Sequence, residues 1–226
     1  MKNSVRFIFI PAFLCVTGMC LTSGCQEVKK TGAAQAETLE VQSVEDQADG
    51  QGQITISDIP QTHKRVIELI KTGEAARAKQ DVQTLLQTAQ TLREMGAQPV
   101  TGTEDLAKNW TVMAESMQTD KSALPPFRGR IKGPAYRKDS LAPTATETIE
   151  DIYYAAEQAQ LTLEPMSGAK LSWSIFEADT PNDPVCQSQP DAGTQTCRFT
   201  PLWTAKYKIR IVNESGQNAS YLFITN

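Results

Sequence analysis

Two cysteines in the C-terminal part of the chain are the first residues whose type and spacing indicate a reaction. Cys186 and Cys197 bracket a polar, flexible segment, residues 187–196. In an oxidising compartment an isolated pair normally forms a disulfide, and closing a loop of this length contributes roughly 3 kcal/mol to the free energy of unfolding. A redox-active pair needs closer spacing and an activating cation. We predict a structural disulfide that fixes a hairpin around this segment.

An acidic turn lies just before the first of these cysteines. Residues 177–183 read Glu-Ala-Asp-Thr-Pro-Asn-Asp. Hard oxygen ligands gathered in a turn are what calcium prefers. The candidate ligands are Asp179, Asn182 and Asp183. The alternative is a solvated turn between two strands, which Asp, Asn and Pro favour by themselves. No other cofactor or metal is predicted.

A third cluster is basic and aromatic, and it lies in the middle of the chain. Its members are Arg128, Arg130, Lys132, Tyr136 and Arg137. Clustered positive charge attracts anions, so this stretch is a candidate binding site for an anionic glycan or an acidic partner. The alternative is a strand whose charged side chains simply point into water.

Most other chemistry is excluded by composition. The chain of 226 residues contains one histidine, and its net charge of −4 argues against a nucleic-acid ligand. Glycine-rich phosphate loops and the nucleophile-elbow motif are absent from the sequence. A catalytic triad would require His63, which we expect to be solvated between Thr62 and Lys64. Carboxylate-only hydrolysis of a glycan remains as the enzymatic alternative, but we predict no enzyme.

The first 25 residues have the anatomy of an export signal: a positively charged start, a short apolar run, and small residues up to Cys25. This end resembles the lipobox of bacterial lipoproteins, with Thr22 where that family prefers Leu. The resemblance implies that residues 1–24 are removed and that Cys25 is lipidated. Gln26 after the cysteine implies sorting to the outer membrane, facing the periplasm. The membrane is then bound through acyl chains.

The composition of residues 25–56 predicts a flexible tether. Gln, Glu, Gly and Ala are frequent here and aromatic residues are absent. Such a segment cannot bury enough apolar surface to offset the entropy lost on ordering. We expect it to hold the folded part away from the lipid surface.

Residues 57–122 show helical periodicity and predict a small antiparallel bundle of about three helices. The first helix is expected to be capped by Ser57 or Asp58 and to stop at Gly73. The second is expected to bury one face, at positions 75, 78, 82, 85, 89 and 92. The third is expected to follow a capping box, Thr101 to Glu104, and to pack through Leu106, Trp110, Met113 and Met117.

Residues 123–226 alternate apolar and polar side chains in short runs separated by Gly, Pro, Asn and Asp. The clearest runs begin at Ala159, Leu171, Ala205 and Tyr221. This pattern predicts an antiparallel, jelly-roll-like β-sandwich in which each strand has one buried and one wet face. The fold class of the whole is therefore α+β.

The segments Cys197-Arg-Phe-Thr-Pro, 207–213 and 221–224, with Gly168 ahead of an alternating strand, resemble the bacterial pre-peptidase C-terminal (PPC-like) domains. That family contains noncatalytic accessory modules, so the resemblance implies binding of an envelope protein or a glycan. Three alternatives stay open. They are an inhibitor of an envelope-attacking enzyme, such as a lysozyme inhibitor, a carboxylate-dependent cell-wall hydrolase, and a structural spacer. The partner and the oligomeric state stay open as well.

Overall fold

A computed structural model describes residues 53–54, 58–117 and 133–226 of the chain, and these residues form an α+β fold. The helices are α1 (Gln61–Lys79), α2 (Val82–Glu94) and α3 (Leu106–Met117). The strands are β1 (Gln53–Ile54), β2 (Gln98–Pro99), β3 (Ala135–Leu141), β4 (Thr146–Tyr153), β5 (Ala159–Pro165), β6 (Leu171–Glu177), β7 (Pro184–Gln187), β8 (Gln195–Phe199), β9 (Ala205–Asn213) and β10 (Ala219–Thr225). Among the described helices, none combines the length and the apolar character that a membrane span requires.

Helix α1 continues through Gly73, so the predicted stop at this glycine is wrong. Gly73 faces Trp110 of α3, and a Cβ added to it would lie 2.3 Å from Trp110 Cη2. Glycine is therefore required for close packing of the two helices rather than for a left-handed cap. The helix ends instead at Gln80, which has a φ of 55° and donates its backbone N–H to the last turn. The predicted cap by Ser57 or Asp58 is also wrong, because Pro60 is the N-cap and no side chain caps α1.

Aspartates cap the other two helices. Asp81 precedes α2, and its carboxylate accepts a hydrogen bond from the backbone N–H of Thr84 at 3.1 Å. Asp105 precedes α3 and accepts from the N–H of Lys108 at 2.9 Å. The capping box predicted at Thr101 is thus wrong, because the chain turns once more before the helix begins. Each carboxylate satisfies a backbone donor that the first helical turn leaves without a partner.

The ten strands form two sheets that pack face to face. The larger has the order β1-β8-β5-β10-β3-β2, and the smaller has the order β4-β9-β6-β7. Neighbouring strands are antiparallel except for β2 and β3. Strand β1 pairs with β8 through Gln53 and Ile54, so the backbone joins the sandwich within the range predicted as tether.

The core between the sheets is formed by inward-facing side chains of both. Its largest members include Trp173, Tyr221, Phe223, Leu161 and Leu163, all buried. The predicted disulfide Cys186–Cys197 is present, with a Cα–Cα distance of 6.2 Å. The prediction that it fixes a hairpin is wrong, because β7 and β8 belong to different sheets. The bond therefore joins the two layers through the core.

The three helices cover the outer face of the larger sheet and create a second core there. Leu222 and Ile224 of β10 are buried against Val66, Ile70 and Leu92 of the helices. Strands β5 and β10 are consequently buried on both faces along most of their length. The prediction that every strand has one wet face is wrong for these two strands. It holds for β9, where Lys206 and Arg210 are exposed on the outer face.

The helix faces also differ in part from those predicted. Ala75 and Ala78 were predicted to belong to the second helix, but they lie in α1 and are exposed. The predicted positions Leu85, Ala89 and Leu92 lie in α2 and are buried. In α3, Leu106 and Trp110 are buried as predicted, Met113 is half-buried and Met117 is exposed. Ala107, Thr111 and Ala114 complete the buried face of α3.

Polar contacts fix the helices to the sheet. His63 is buried, and its Nδ1 lies 2.9 Å from Thr162 Oγ1 of β5. The expectation of a solvated His63 is therefore wrong, since the side chain points from α1 onto the sheet. Burial and the nearby Arg198 guanidinium lower the pKa of His63 to about 4. Lys71 of α1 donates to the buried Glu164, which also accepts from Thr194.

Candidate functional site at one end of the sandwich

Large apolar side chains are exposed together at one end of the sandwich. Six such side chains are exposed in the described part of the chain, and four of them lie here. They are Ile152, Tyr154, Leu202 and Trp203, which are between 51% and 78% exposed. We call this region, formed by residues 152–158, 177–183 and 200–208, the Trp203 end. Soluble proteins rarely gather exposed apolar side chains without a functional reason.

Strand pairing positions these side chains. Strand β4 ends where β9 begins, with Tyr153 paired to Ala205, so the segments that follow and precede them run side by side. The N–H of Ala155 donates to Thr204 Oγ1 at 3.1 Å. The N–H of Ala156 donates to the carbonyl of Pro201 at 2.9 Å. These bonds hold the two connecting segments in fixed positions, and the exposed side chains are therefore presented on an ordered backbone.

The indole of Trp203 is also held from the other side. Its Nε1–H donates to Glu177 Oε1, at the end of β6. The bond orients the ring although more than half of its surface is in solvent. An exposed aromatic ring that is already oriented loses less conformational entropy when a partner covers it.

Two neighbouring cavities share Glu177 and Trp203. The larger cavity has a volume of about 550 Å³, and its lining includes Glu150, Asp179, Lys206 and Lys208. The smaller cavity has a volume of about 240 Å³, and its lining includes Asp183, Val185, Phe199, Leu202 and Tyr207. One cavity is thus lined by charged side chains and the other mainly by apolar ones.

An aromatic cluster supports the smaller cavity from within. Tyr153, Phe199 and Tyr207 pack together, with ring centroids 4.9 to 5.6 Å apart. Burial, followed by the nearby Glu177 carboxylate, raises the pKa of Tyr207 above its ordinary value. The floor of the smaller cavity is therefore formed by packed aromatic rings.

The predicted calcium turn forms one wall of this site. Asp179, Asn182 and Asp183 are all exposed, with Asp179 at the larger cavity and Asp183 at the smaller one. Among the described residues, no group of three or more His, Cys, Asp or Glu side chains is arranged to hold a metal ion. The calcium assignment therefore stays a prediction. Asp179 and Asp183 each line a cavity together with the exposed Trp203.

The predicted basic site is only partly within the described residues. Arg128, Arg130 and Lys132 lie outside them. Tyr136 is not a surface residue, which corrects its assignment. It is buried beneath α3, and its hydroxyl accepts a hydrogen bond from the N–H of Leu106 at 3.1 Å. Burial raises the pKa of Tyr136 to about 12.

Arg137 is engaged in ion pairs rather than presented to a ligand. Its guanidinium pairs with Asp139 on its own strand and with Glu147 on β4. Glu147 also accepts a hydrogen bond from the hydroxyl of Tyr221. This network joins the two sheets at their rim. Arg137 therefore stabilises the sandwich.

The exposed residues of the Trp203 end were missed by the sequence reasoning. The available signal was a tryptophan next to a leucine, Leu202-Trp203, in a short connection directly after a proline. Connections between strands usually carry polar residues, so two adjacent large apolar residues there indicate contact with something beyond the core.

Comparison with known proteins gives low similarities. No family model and no curated protein matches this sequence. The chain is similar to the pre-peptidase C-terminal domain of a collagenase from Bacillus anthracis, at 13% identity over 40% of this chain and 87% of that one, with a TM-score of 0.37. It is similar to PliG of Aeromonas hydrophila, a periplasmic inhibitor of g-type lysozyme, at 12% identity over 57% of this chain and 94% of that one, with a TM-score of 0.34.

A third similarity is to the Yersinia pseudotuberculosis-derived mitogen, at 10% identity over 42% of this chain and 86% of that one, with a TM-score of 0.35. TM-scores this low carry no argument about the fold or function of this chain. The β-sandwich is established by its own sheets, and the PPC-like resemblance stays a prediction.

Proposed function

We propose that this chain is a lipid-anchored protein of the bacterial cell envelope that acts as a noncatalytic binding module and docks a partner at the Trp203 end. The observation that carries the proposal is the exposure of Ile152, Tyr154, Leu202 and Trp203 at one end of the sandwich. Trp and Tyr, two of these four, are among the residue types on which binding energy concentrates in protein interfaces.

A protein is the favoured partner. The exposed residues combine two aromatic and two aliphatic side chains, and charged groups such as Asp179 and Lys206 line the cavity beside Trp203. An apolar centre with a polar rim is the usual anatomy of a protein interface. A glycan partner is the second outcome of the experiment below.

The proposed lipid anchor rests on the sequence up to Cys25, which lies outside the described residues. We expect Cys25→Ala to release the protein from membranes into the soluble fraction, since the acyl chains provide the attachment. Cys20→Ala is the matched control and should leave the protein membrane-bound. Membrane association of the Cys25→Ala variant would contradict the anchor.

Affinity capture tests the docking site. The full-length protein is immobilised in detergent as the wild type, as Trp203→Ala and as Val112→Ala, and each is exposed to envelope extract and to purified peptidoglycan. Val112 is a suitable control because it is an exposed apolar residue on α3, 57% exposed against 56% for Trp203. Bound material is identified by mass spectrometry, and each purified candidate is bound again to all three proteins.

We expect one protein whose dissociation constant rises at least tenfold with Trp203→Ala and is unchanged with Val112→Ala. Retention of peptidoglycan with the same dependence on Trp203 would move the partner to the glycan class. Equal retention by all three proteins would contradict docking at the Trp203 end.

A further inference from the structure

The two cavities of the Trp203 end differ in chemistry and share a wall, which specifies the kind of segment that fits them. The smaller cavity is lined by Val185, Phe199, Leu202 and Tyr207, and its volume of about 240 Å³ admits one large apolar side chain. Its floor is the packed aromatic cluster described above. Interface pockets of this kind are filled by a single anchoring side chain.

The charges around the cavities are unequal. Four carboxylates line them, from Glu150, Glu177, Asp179 and Asp183, against the two ammonium groups of Lys206 and Lys208. Lys206 already pairs with Glu150 at 3.3 Å. Asp179 and Asp183 have no ion-pair partner within the described residues. The wall next to the apolar cavity is therefore negatively charged.

Glu177 and Trp203 lie where the two cavities meet. One carboxylate oxygen of Glu177, Oε1, accepts the indole N–H, so the carboxylate is fixed in place. More than half of the Trp203 surface is exposed beside it. A cation next to this ring is attracted both by the carboxylates and by the ring itself.

From this arrangement we propose that the partner is a protein that inserts a basic segment, with one large apolar side chain in the smaller cavity and an adjacent Lys or Arg against Trp203 and the carboxylates of residues 177–183. The inference rests on the proposed docking site and adds the charge and the form of the occupant. Complementary charge around an apolar anchor gives such a contact its specificity.

Selection from a random 12-residue peptide library displayed on phage tests this inference. The immobilised target is the full-length protein in detergent, and clones that also bind Trp203→Ala are removed. We expect the remaining clones to carry Lys or Arg within two positions of Leu, Ile, Met or Phe. Replacing that basic residue by Gln in a synthetic peptide should weaken binding at least tenfold, as measured by fluorescence polarisation.

The double variant Asp179→Asn/Asp183→Asn should weaken the same peptide about tenfold, and the loss should shrink as salt is added. Glu214→Gln is the matched control, because Glu214 is an exposed carboxylate at the opposite end of β9. It should leave the affinity unchanged.

Each result separates this inference from the proposed function. Clones that depend on Trp203 but carry no basic residue would overturn the basic segment and leave the docking site intact. A failure to select Trp203-dependent clones, while the captured protein still depends on Trp203, would overturn the inserted segment alone. Loss of Trp203 dependence in both experiments would overturn both.

Discussion

On the larger sheet, the outward-facing side chains of β10 are buried beneath the helices, whereas on the smaller sheet those of β4 and β9 reach solvent. Leu222 and Ile224 represent the first case. Ile152, Lys206 and Arg210 represent the second. Within the described residues, the helical layer therefore covers one face of the sandwich, whereas side chains of the other face and of the adjoining Trp203 end are exposed.

The largest expected effect compares one outward-facing apolar residue from each sheet. Leu222→Ala should reduce the free energy of unfolding by about 4 kcal/mol, because it opens a cavity beneath the helices. Ile152→Ala, on the uncovered sheet, should reduce it by less than about 1 kcal/mol. Urea denaturation measures both values. Equal losses would show that the two faces do not differ in burial.

Removal of the disulfide tests whether this bond holds the two sheets together through their common core. Cys186→Ser combined with Cys197→Ser should lower the free energy of unfolding by about 3 kcal/mol. Thermal unfolding with and without reductant measures the effect. Reductant should destabilise the wild type and leave the double variant unchanged, whereas a wild type insensitive to reductant would show that the bond does not stabilise the sandwich.

His63 lies between α1 and the larger sheet. Its titration therefore reports on the face of the sandwich that the helices cover. Its folded pKa of about 4 lies below the ordinary value of 6.5, so the unfolded state takes up the proton first as the pH falls. The contribution of His63 to stability is therefore fully present above its unfolded pKa of 6.5 and is lost between 6.5 and about 4, by up to roughly 3 kcal/mol.

The variant His63→Gln should lack the part of this loss that sets in between pH 6.5 and 5. His63 is the chain's one histidine, so no other imidazole contributes. Urea denaturation of both proteins across this range measures the difference. Parallel pH profiles for the variant and the wild type would contradict the burial of His63 against Thr162.

A further, smaller loss of stability than that of Leu222→Ala is expected from packing within the helical layer. Gly73→Ala should lower the free energy of unfolding by about 2 kcal/mol, because the added methyl group collides with Trp110. Gly216→Ala is the control, since an added Cβ there has no neighbour within 4 Å. A neutral Gly73→Ala together with a neutral Gly216→Ala would show that α1 and α3 do not pack as closely as described.

Much of the fold could be predicted because local patterns agree with the final structure. The alternation in Leu171-Trp173-Ile175 and Ala205-Tyr207-Ile209 gave strands with one buried face, and the two cysteines gave their disulfide. The predicted end of α1 at Gly73 was wrong, because glycine is required there by contact with Trp110, a residue far along the chain. Such long-range contacts are not visible in a local pattern.

The candidate site was less predictable for a related reason. Asp179 and Asp183 were identified from their residue types, but their position beside Trp203 depends on how β6, β8 and β9 pair. His63 and Tyr136 were assigned to the surface because their neighbours in sequence are polar. They are buried because helices cover the larger sheet, an arrangement that the strand pattern alone does not specify.

The most direct test of the account is photocrosslinking in cells with the full-length protein. A photoreactive amino acid replaces Leu202 at the Trp203 end in one protein and Val112 on the helical layer in another, both exposed positions. We predict a discrete crosslinked product with one envelope protein from position 202 and none from position 112. Products from position 112 alone, or the same products from both positions, would contradict the assignment of binding to the Trp203 end.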